Sequence, residues 1–115
     1  MKRLLLAVLA ASALSVAYAH TKIAATAPAA GASVSAPTEL VLEFGGEVRL
    51  TAVTLTAASG AEVRLDALPT AIAKRFAVAI GRPLAAGEYR VVWRAVGGDT
   101  HIVSGEFRFN VATAL

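Results

Sequence analysis

The chain contains no cysteine, and its one methionine is Met1. Disulfide scaffolds, thiolate zinc sites, iron–sulfur clusters and thiol nucleophiles are therefore all excluded. Because Cu(I) favours thiolate and thioether ligands, the absence of both after Met1 also excludes a methionine-lined Cu(I) site. A metal site in this sequence would therefore use nitrogen and oxygen atoms as its donors.

The chain also lacks a strong excess of charge of either sign. It has 11 Lys and Arg residues and 8 Asp and Glu residues, and it contains no basic run. Nucleic-acid binding depends on many cation–phosphate contacts, so this class of function is excluded on electrostatic grounds. A length of 115 residues accommodates one ordinary domain. The apolar fraction of 57% is high, but much of it is alanine concentrated near the N-terminus, which argues against a polytopic membrane protein.

The N-terminal segment has the three parts of an export signal. Lys2 and Arg3 form a positive n-region, residues 4–16 form an apolar h-region, and residues 17–19 form an Ala-Tyr-Ala cleavage site. The apolar part is shorter than the ~20 residues that a membrane-spanning helix needs, which favours cleavage over the alternative of an uncleaved anchor. We expect export with cleavage after residue 19, and a mature domain of residues 20–115 with no membrane span and a net charge of (11 − 2) − 8 = +1.

The rest of the chain shows the alternation of apolar and polar residues that is typical of half-buried strands. The alternation changes parity between Leu50 and Val53, which predicts a bulge or a bend. Ser59-Gly60 is typical of a hairpin turn, and residues 68–76 are the one candidate for a helical turn. The predicted strands are Thr38–Phe44, Val48–Ala57, Val63–Leu65, Phe76–Ile80, Glu88–Val96 and Ser104–Val111, with another near Ile23. This pattern predicts an all-β fold, a small Greek-key, Ig-like β-sandwich of about seven strands.

The expected cleavage makes His20 the first residue of the mature protein. Its free α-amine and its imidazole Nδ1 can bind one metal ion together and close a six-membered chelate ring. The reference pKa of an α-amine is about 7.7–8.0, so a metal can displace its proton at neutral pH without great cost. The alternative is an arbitrary first residue in an unstructured terminus.

The connection between the last two predicted strands carries two further candidate ligands, Asp99 and His101. They are separated by one residue, so in an extended segment both side chains project from the same side and can share an ion. An Asp-x-His sequence alone is often a solvated loop, but His20 and His101 are the only two histidines in the chain. If the N-terminal strand lies beside this connection, the three residues supply three nitrogens and one carboxylate oxygen. That set suits the tetragonal preference of Cu(II) better than the tetrahedral preference of Zn(II).

Several segments together resemble the bacterial CopC copper-resistance family. They are His20 at a cleavage site, Pro28-Ala29-Ala30-Gly31, Leu40–Phe44, and the block Tyr89–His101 followed by Gly105 and Phe107. The resemblance covers essentially the whole mature chain. It implies a periplasmic β-sandwich that holds Cu(II) through an N-terminal histidine, an aspartate and a second histidine, which correspond to His20, Asp99 and His101. It further implies a role in copper homeostasis and resistance, as a carrier or buffer, with an inner-membrane CopD protein as partner.

Two departures from the family pattern affect what the resemblance implies. Many members read Phe-Ser-Glu where this chain has Phe44-Gly45-Gly46-Glu47, so the glutamate is displaced by one position and an outer-shell role for Glu47 stays an open question on the sequence. Some members carry a methionine-rich segment for Cu(I), and this chain has none. Transfer of copper between sites for two oxidation states is therefore not expected.

Two other classes of function stay open on the sequence alone. A copper-dependent oxidative enzyme with an N-terminal histidine centre, as in polysaccharide monooxygenases, needs an exposed aromatic surface, whereas Tyr89 and Trp93 lie in phase with Val91 as core residues do. A metal-free Ig-like interaction module needs only the fold. We expect no hydrolytic enzyme, because a histidine used as a catalytic base is lost as a metal ligand.

Overall fold

The computed structural model describes residues 22–113, and both the expected export signal and His20 lie outside this range. The described residues form seven strands and no helix, which confirms the all-β expectation. Residues 22–113 accordingly include no helix that could span a membrane. The strands are β1 (Ile23–Ala27), β2 (Ser33–Val34), β3 (Glu39–Ala57), β4 (Glu62–Val63), β5 (Ala73–Ala79), β6 (Gly87–Gly97) and β7 (Ile102–Val111).

Strand β3 organises the fold because it pairs with four other strands. Its first part pairs antiparallel with β5 at residues 39–43 and with β1 at residues 41–44. Its second part, residues 48–57, pairs with β6, and its end forms a hairpin with β4. Strand β6 pairs in turn with β7, to which the short β2 adds in parallel. The hydrogen-bonded order β1-β3-β6-β7-β2 is thus one curled sheet whose two halves enclose the core.

The pairing of β3 changes register where the sequence predicts a bend. One shift lies between Leu50 and Ala52 in the pairing with β6, within the interval where the apolar parity changes. Another lies between Glu43 and Val48 in the pairing with β5. The sequence predicts two strands here, but the structure has one, because the backbone hydrogen bonds continue through the bend while the partner strand changes.

The core consists of inward side chains from both halves of the sheet. Phe44 of β3 makes edge-to-face contacts with Phe76 of β5, at 6.0 Å between ring centroids, and with Trp93 of β6, at 5.2 Å. Trp93 pairs in the ladder with Val53, so its contact with Phe44 crosses the space between the two halves. Such aromatic pairs contribute about 0.5–1.5 kcal/mol beyond the burial of their area. Tyr89 and Trp93 are 6% and 5% exposed, which confirms that they are core residues.

Gly105 of β7 is required by its close approach to Trp93. The two residues lie directly opposite each other on neighbouring strands. A Cβ atom at position 105 would lie 2.8 Å from Cζ2 of Trp93, closer than non-bonded atoms can approach. The indole ring therefore packs flat against this part of β7, four residues along the strand from His101.

Two details of the fold differ from the sequence predictions. Residues 68–76 form no helical turn, because residues 73–76 belong to β5 and residues 68–72 run without regular structure. Strand β2 was not predicted, because two residues are too few to show an alternation. Backbone bonds hold this segment to β7, from the Gly31 N–H to the Arg108 carbonyl and from the Asn110 N–H to the Ala32 carbonyl.

Candidate metal centre

A tight hairpin of residues 97–101 connects β6 to β7. The Gly97 N–H donates to the His101 carbonyl, and the Thr100 N–H donates to the Gly97 carbonyl, both at 2.9 Å. Thr100 has a φ of 68°, in the left-handed region that a β-branched residue rarely adopts. Residues 98–101 are exposed, while the ladder between β6 and β7 holds the hairpin at both ends.

This hairpin brings Asp99 and His101 together. Oδ1 of Asp99 accepts a hydrogen bond from the His101 N–H at 3.0 Å, and Oδ2 lies 2.8 Å from His101 Nδ1. From the sequence, both side chains are expected on one side of an extended segment, but the segment is a turn. The two side chains meet because the aspartate folds back over residue 100, so the expected juxtaposition is present for a different physical reason.

Each member of this pair shifts the pKa of the other. The hydrogen bond with the His101 side chain, followed by that from the His101 backbone N–H, lowers the pKa of Asp99 below 3.8. The hydrogen bond with Asp99, followed by the charge of the carboxylate, raises the pKa of His101 above 6.5. The His101 side chain is 75% exposed and the Asp99 side chain is 50% exposed. Solvent therefore screens the pair, and it adds little to the stability of the fold. Its main effect is to orient the imidazole.

A carboxylate paired with an imidazole can serve a metal in two ways. If the metal replaces the shared proton, Nδ1 and Oδ2 both become ligands. These two atoms lie 2.8 Å apart, so both would be close enough to share one ion once the side chains turn toward it. If the metal binds Nε2 instead, Asp99 stays on Nδ1 and fixes the ring orientation. Either arrangement needs further donors to complete the coordination.

The described part of the chain supplies two of the three predicted ligands. Within residues 22–113, no group of three His, Cys, Asp or Glu side chains is placed to hold a metal. Glu47 is exposed on β3 and does not join the Asp99–His101 pair as a third member. The third predicted ligand, His20, lies outside the described residues.

The start of the described chain is anchored next to the hairpin. The Lys22 carbonyl accepts a hydrogen bond of 3.0 Å from the Gly45 N–H, at the bend of β3. Three residues further along β3, Val48 pairs with Gly97, the first residue of the hairpin. Three extended residues span about 10 Å at most. Lys22 and the hairpin therefore adjoin the same short stretch of β3.

A surface hollow of about 510 Å³ lies between the start of β1 and the first part of β7, the strand that follows the hairpin. Lys22 and Ile23 line one side of it, residues 103–106 of β7 line the other, and Trp93 contributes from β6. Val103 is the second residue after His101, just as Lys22 is the second residue after His20. Both segments that would carry histidine ligands thus adjoin one hollow.

The aromatic side chains of residues 22–113 are nearly absent from the surface, although Trp93 lines the hollow. All of them are buried, with exposures of 8% or less. They are Phe44, Phe76, Tyr89, Trp93, Phe107 and Phe109. The described surface therefore has no aromatic platform on which a polysaccharide could lie.

Sequence reasoning missed the role of Thr100, which separates the two candidate ligands. Threonine is not a residue that signals a positive φ, so its backbone conformation could not be predicted from its type. The chain itself contains a signal for this conformation. Ser59-Gly60 follows β3 at the same spacing at which Asp99-Thr100 follows β6, and the residue that corresponds to Thr100 is a glycine.

Comparison with known proteins places these features in a wider group. A sequence model of the CopC domain matches residues 23–112. Copper resistance protein C of Xanthomonas campestris pv. juglandis is 35% identical over 104 residues, which cover 83% of this chain and 82% of that protein. The match to the CopC domain includes the hairpin and the whole of the seven-stranded fold.

Solved structures show the same likeness. PcoC, described as a methionine-rich copper resistance protein from Escherichia coli, matches with a TM-score of 0.69 at 34% identity, covering 82% of this chain and 100% of that one. CopC from Methylosinus trichosporium OB3b matches with a TM-score of 0.70 at 25% identity, covering 84% of this chain and 97% of that one.

Proposed function

The chain belongs to the CopC family of copper resistance proteins, and on this premise we propose that it is a periplasmic Cu(II) carrier or buffer in copper homeostasis. The Xanthomonas protein and PcoC are named as copper resistance proteins and neither is named as an enzyme, in agreement with the expected non-enzymatic class. The observation that carries the proposal is the Asp99–His101 pair, whose donor atoms lie 2.8 Å apart beside the anchored start of β1.

The proposed ligands are the α-amine and imidazole of His20, the carboxylate of Asp99 and the imidazole of His101. The anchoring of Lys22 supports this set, because two residues of chain reach about 7 Å and Lys22 lines the same hollow as Val103. Cleavage after residue 19 is part of the proposal. The α-amine can act as a ligand only when His20 is the first residue of the mature domain, residues 20–115.

The proposed cargo is Cu(II) and not Cu(I). Three nitrogens and a carboxylate oxygen suit Cu(II), which also binds such donors more tightly than neighbouring divalent metals do. PcoC is described as methionine-rich, whereas the single methionine of this chain is Met1, within the proposed signal. We therefore expect one site for one oxidation state, with no exchange between Cu(I) and Cu(II) sites.

The proposed recipient of the copper is an inner-membrane protein of the CopD type, on the family resemblance. The exposure of residues 98–101 supports transfer to a partner, since a metal held there is open to another protein. An oxidative enzyme that acts on polysaccharides is not favoured, because every aromatic side chain of residues 22–113 is buried.

The proposal is tested on protein exported from the full 115-residue chain. Intact mass identifies the first residue, and EPR after one equivalent of Cu(II) reports the ligand atoms. We expect a chain of residues 20–115 and a tetragonal Cu(II) signal from three nitrogens and one oxygen, with one nitrogen fewer in the His101→Ala variant. A mature chain that begins at another residue, or a variant with the spectrum of the unmodified protein, contradicts the proposal.

A further inference from the structure

Two hairpins of this fold have the same backbone, although only one lies at the candidate metal centre. They are the hairpin of residues 97–101 and the hairpin of residues 57–61, which joins β3 to β4. In both, the N–H of the first residue donates to the carbonyl of the fifth, at 2.9 and 2.8 Å respectively. In both, the N–H of the fourth residue donates to the carbonyl of the first, again at 2.9 and 2.8 Å.

The third residue has the same part in each hairpin. Oγ of Ser59 accepts a hydrogen bond from the Ala61 N–H at 3.3 Å, as Oδ1 of Asp99 accepts one from the His101 N–H at 3.0 Å. A turn followed by one left-handed residue is a common way to join two antiparallel strands with a three-residue loop. The two hairpins are therefore two copies of one local structure within the same chain.

The fourth residue marks the difference in backbone cost. Gly60 has a φ of 94°, which glycine adopts without steric penalty, whereas Thr100 has a φ of 68° and carries a branched Cβ. Strained residues of this kind persist only where the surrounding structure holds them, and they concentrate at functional sites. Here the strain falls on the residue between the two candidate ligands.

We infer that Thr100 is a positioning residue of the copper site proposed above, because its left-handed backbone sets the separation between Asp99 Oδ2 and His101 Nδ1. The inference rests on that proposed function. With a negative φ at position 100, the chain continues from residue 100 in another direction and carries His101 away from Asp99. The carboxylate can then no longer reach both the backbone N–H and Nδ1 of His101. The inference assigns this effect to the backbone conformation of residue 100, because the Thr100 hydroxyl donates to the carbonyl of Asp99 and to neither of the two candidate donor atoms.

The test uses two substitutions at position 100 and a matched control in the other hairpin. Thr100→Gly keeps the left-handed conformation available, whereas Thr100→Pro fixes φ near −65° and removes the N–H that bonds to Gly97. Gly60→Pro makes the same change in the hairpin of residues 57–61. For each variant of the mature protein we measure the Cu(II) affinity by competition with a chelator, the midpoint of thermal unfolding, and the ¹⁵N shifts of the His101 ring without copper.

The expected results separate the three variants. Thr100→Pro lowers the Cu(II) affinity by about 10- to 100-fold, the range found when groups that orient metal ligands are removed, and its ring shifts lose the signature of the Nδ1 hydrogen bond. Thr100→Gly binds Cu(II) within about threefold of the unmodified protein, since the donor atoms keep their places. Gly60→Pro changes the unfolding midpoint without changing the affinity or the ring shifts.

Three results overturn the inference. They are unmodified copper binding in Thr100→Pro, a loss in Thr100→Gly as large as that in Thr100→Pro, or an equal loss in Gly60→Pro. If Thr100→Pro does not fold, NMR of the unmodified protein provides the test. A left-handed residue 100 gives a strong NOE between its own amide and Hα protons and an extended one does not, so the absence of this NOE overturns the inference. Tight Cu(II) binding by a His101→Ala variant instead contradicts the proposed function, independently of Thr100.

Discussion

The hairpins of residues 57–61 and 97–101 share one backbone and differ in their chemistry. Where the first has Ser59, Gly60 and Ala61, the second has Asp99, Thr100 and His101. The first set forms an ordinary turn, and the second uses the same turn to hold a carboxylate oxygen 2.8 Å from an imidazole nitrogen. The comparison teaches that the Asp99–His101 pair needs no special fold, since it depends on side chains placed on a common local structure.

The two hairpins also differ in what lies beside them. The hairpin of residues 97–101 borders the bend of β3, where the Gly45 N–H holds the Lys22 carbonyl. The hairpin of residues 57–61 lies at the far end of β3, twelve residues beyond Gly45. Lys22, the second residue after the proposed ligand His20, therefore adjoins one hairpin and not the other.

The largest effect expected from this comparison follows removal of His101. We expect His101→Ala to lower the Cu(II) affinity by more than about 100-fold, because a lost ligand costs more than a lost orienting group. Ser59→Ala, in the other hairpin, is the matched control and leaves the affinity unchanged. Competition titration gives the affinities, and thermal unfolding shows whether both variants remain folded. Equal Cu(II) affinity in the two variants supports a metal-free interaction module instead.

Transplanting the pair gives the next largest effect. In a His101→Ala background, Ser59→Asp and Ala61→His together place an Asp-x-His pair on the hairpin of residues 57–61. We expect ring ¹⁵N shifts that report an Nδ1 hydrogen bond, but a Cu(II) affinity that stays about 100-fold or more below that of the unmodified protein, since the N-terminus is out of reach. Recovery of tight binding at the transplanted pair shows that the neighbourhood of the bend is not needed.

Exchanging glycine and threonine tests whether the fourth residues share one conformation. Gly60→Thr introduces a Cβ at positive φ and should lower the free energy of unfolding by about 1–2 kcal/mol. Thr100→Gly relieves that strain, but the greater freedom of glycine in the unfolded chain costs about 0.5–1 kcal/mol. The net increase in the free energy of unfolding is therefore smaller than the decrease caused by Gly60→Thr. Denaturant unfolding measures both changes. A Gly60→Thr variant as stable as the unmodified protein means that residue 60 does not require the left-handed region.

The smallest effect concerns pH, because only the hairpin of residues 97–101 titrates. The pKa of His101 is raised, so its contribution to stability is complete below about 6.5 and is lost as the pH rises through the folded value. The pKa of Asp99 is lowered, so its contribution is present above about 3.8 and is lost as the pH falls through the folded value. NMR titration without copper should give a His101 midpoint above 6.5 that Asp99→Asn lowers. An unchanged midpoint in this variant contradicts the pairing.

Much of the fold follows from local patterns in the sequence. The alternation from Glu88 to Val96 predicts the buried side of β6, and the parity change after Leu50 predicts the register shift in β3. These predictions succeed because a strand with one buried side must alternate. The short β2 and the continuity of β3 through its bend could not be predicted, since both depend on the partner strands and not on local pattern.

The candidate site was predictable in its residue types but not in its geometry. The spacing of Asp99 and His101 indicates that their side chains can meet, and the structure confirms that they do. The means by which they meet, a left-handed Thr100 in a tight turn, has no signal in the residue type. The proximity of Lys22 to the hairpin arises from the pairing of β1 and β6 with the same strand, which is a property of the topology.

The central claim is that the freed α-amine of His20 completes a Cu(II) site that Asp99 and His101 begin. The most direct test compares the Cu(II) affinity of the protein that begins at His20 with that of a protein carrying one additional alanine before His20, by competition with the same chelator at the same pH. We expect the added alanine to lower the affinity by at least about 10- to 100-fold, because the amine leaves the chelate ring while both chains fold alike. Equal affinities of the two proteins contradict the claim.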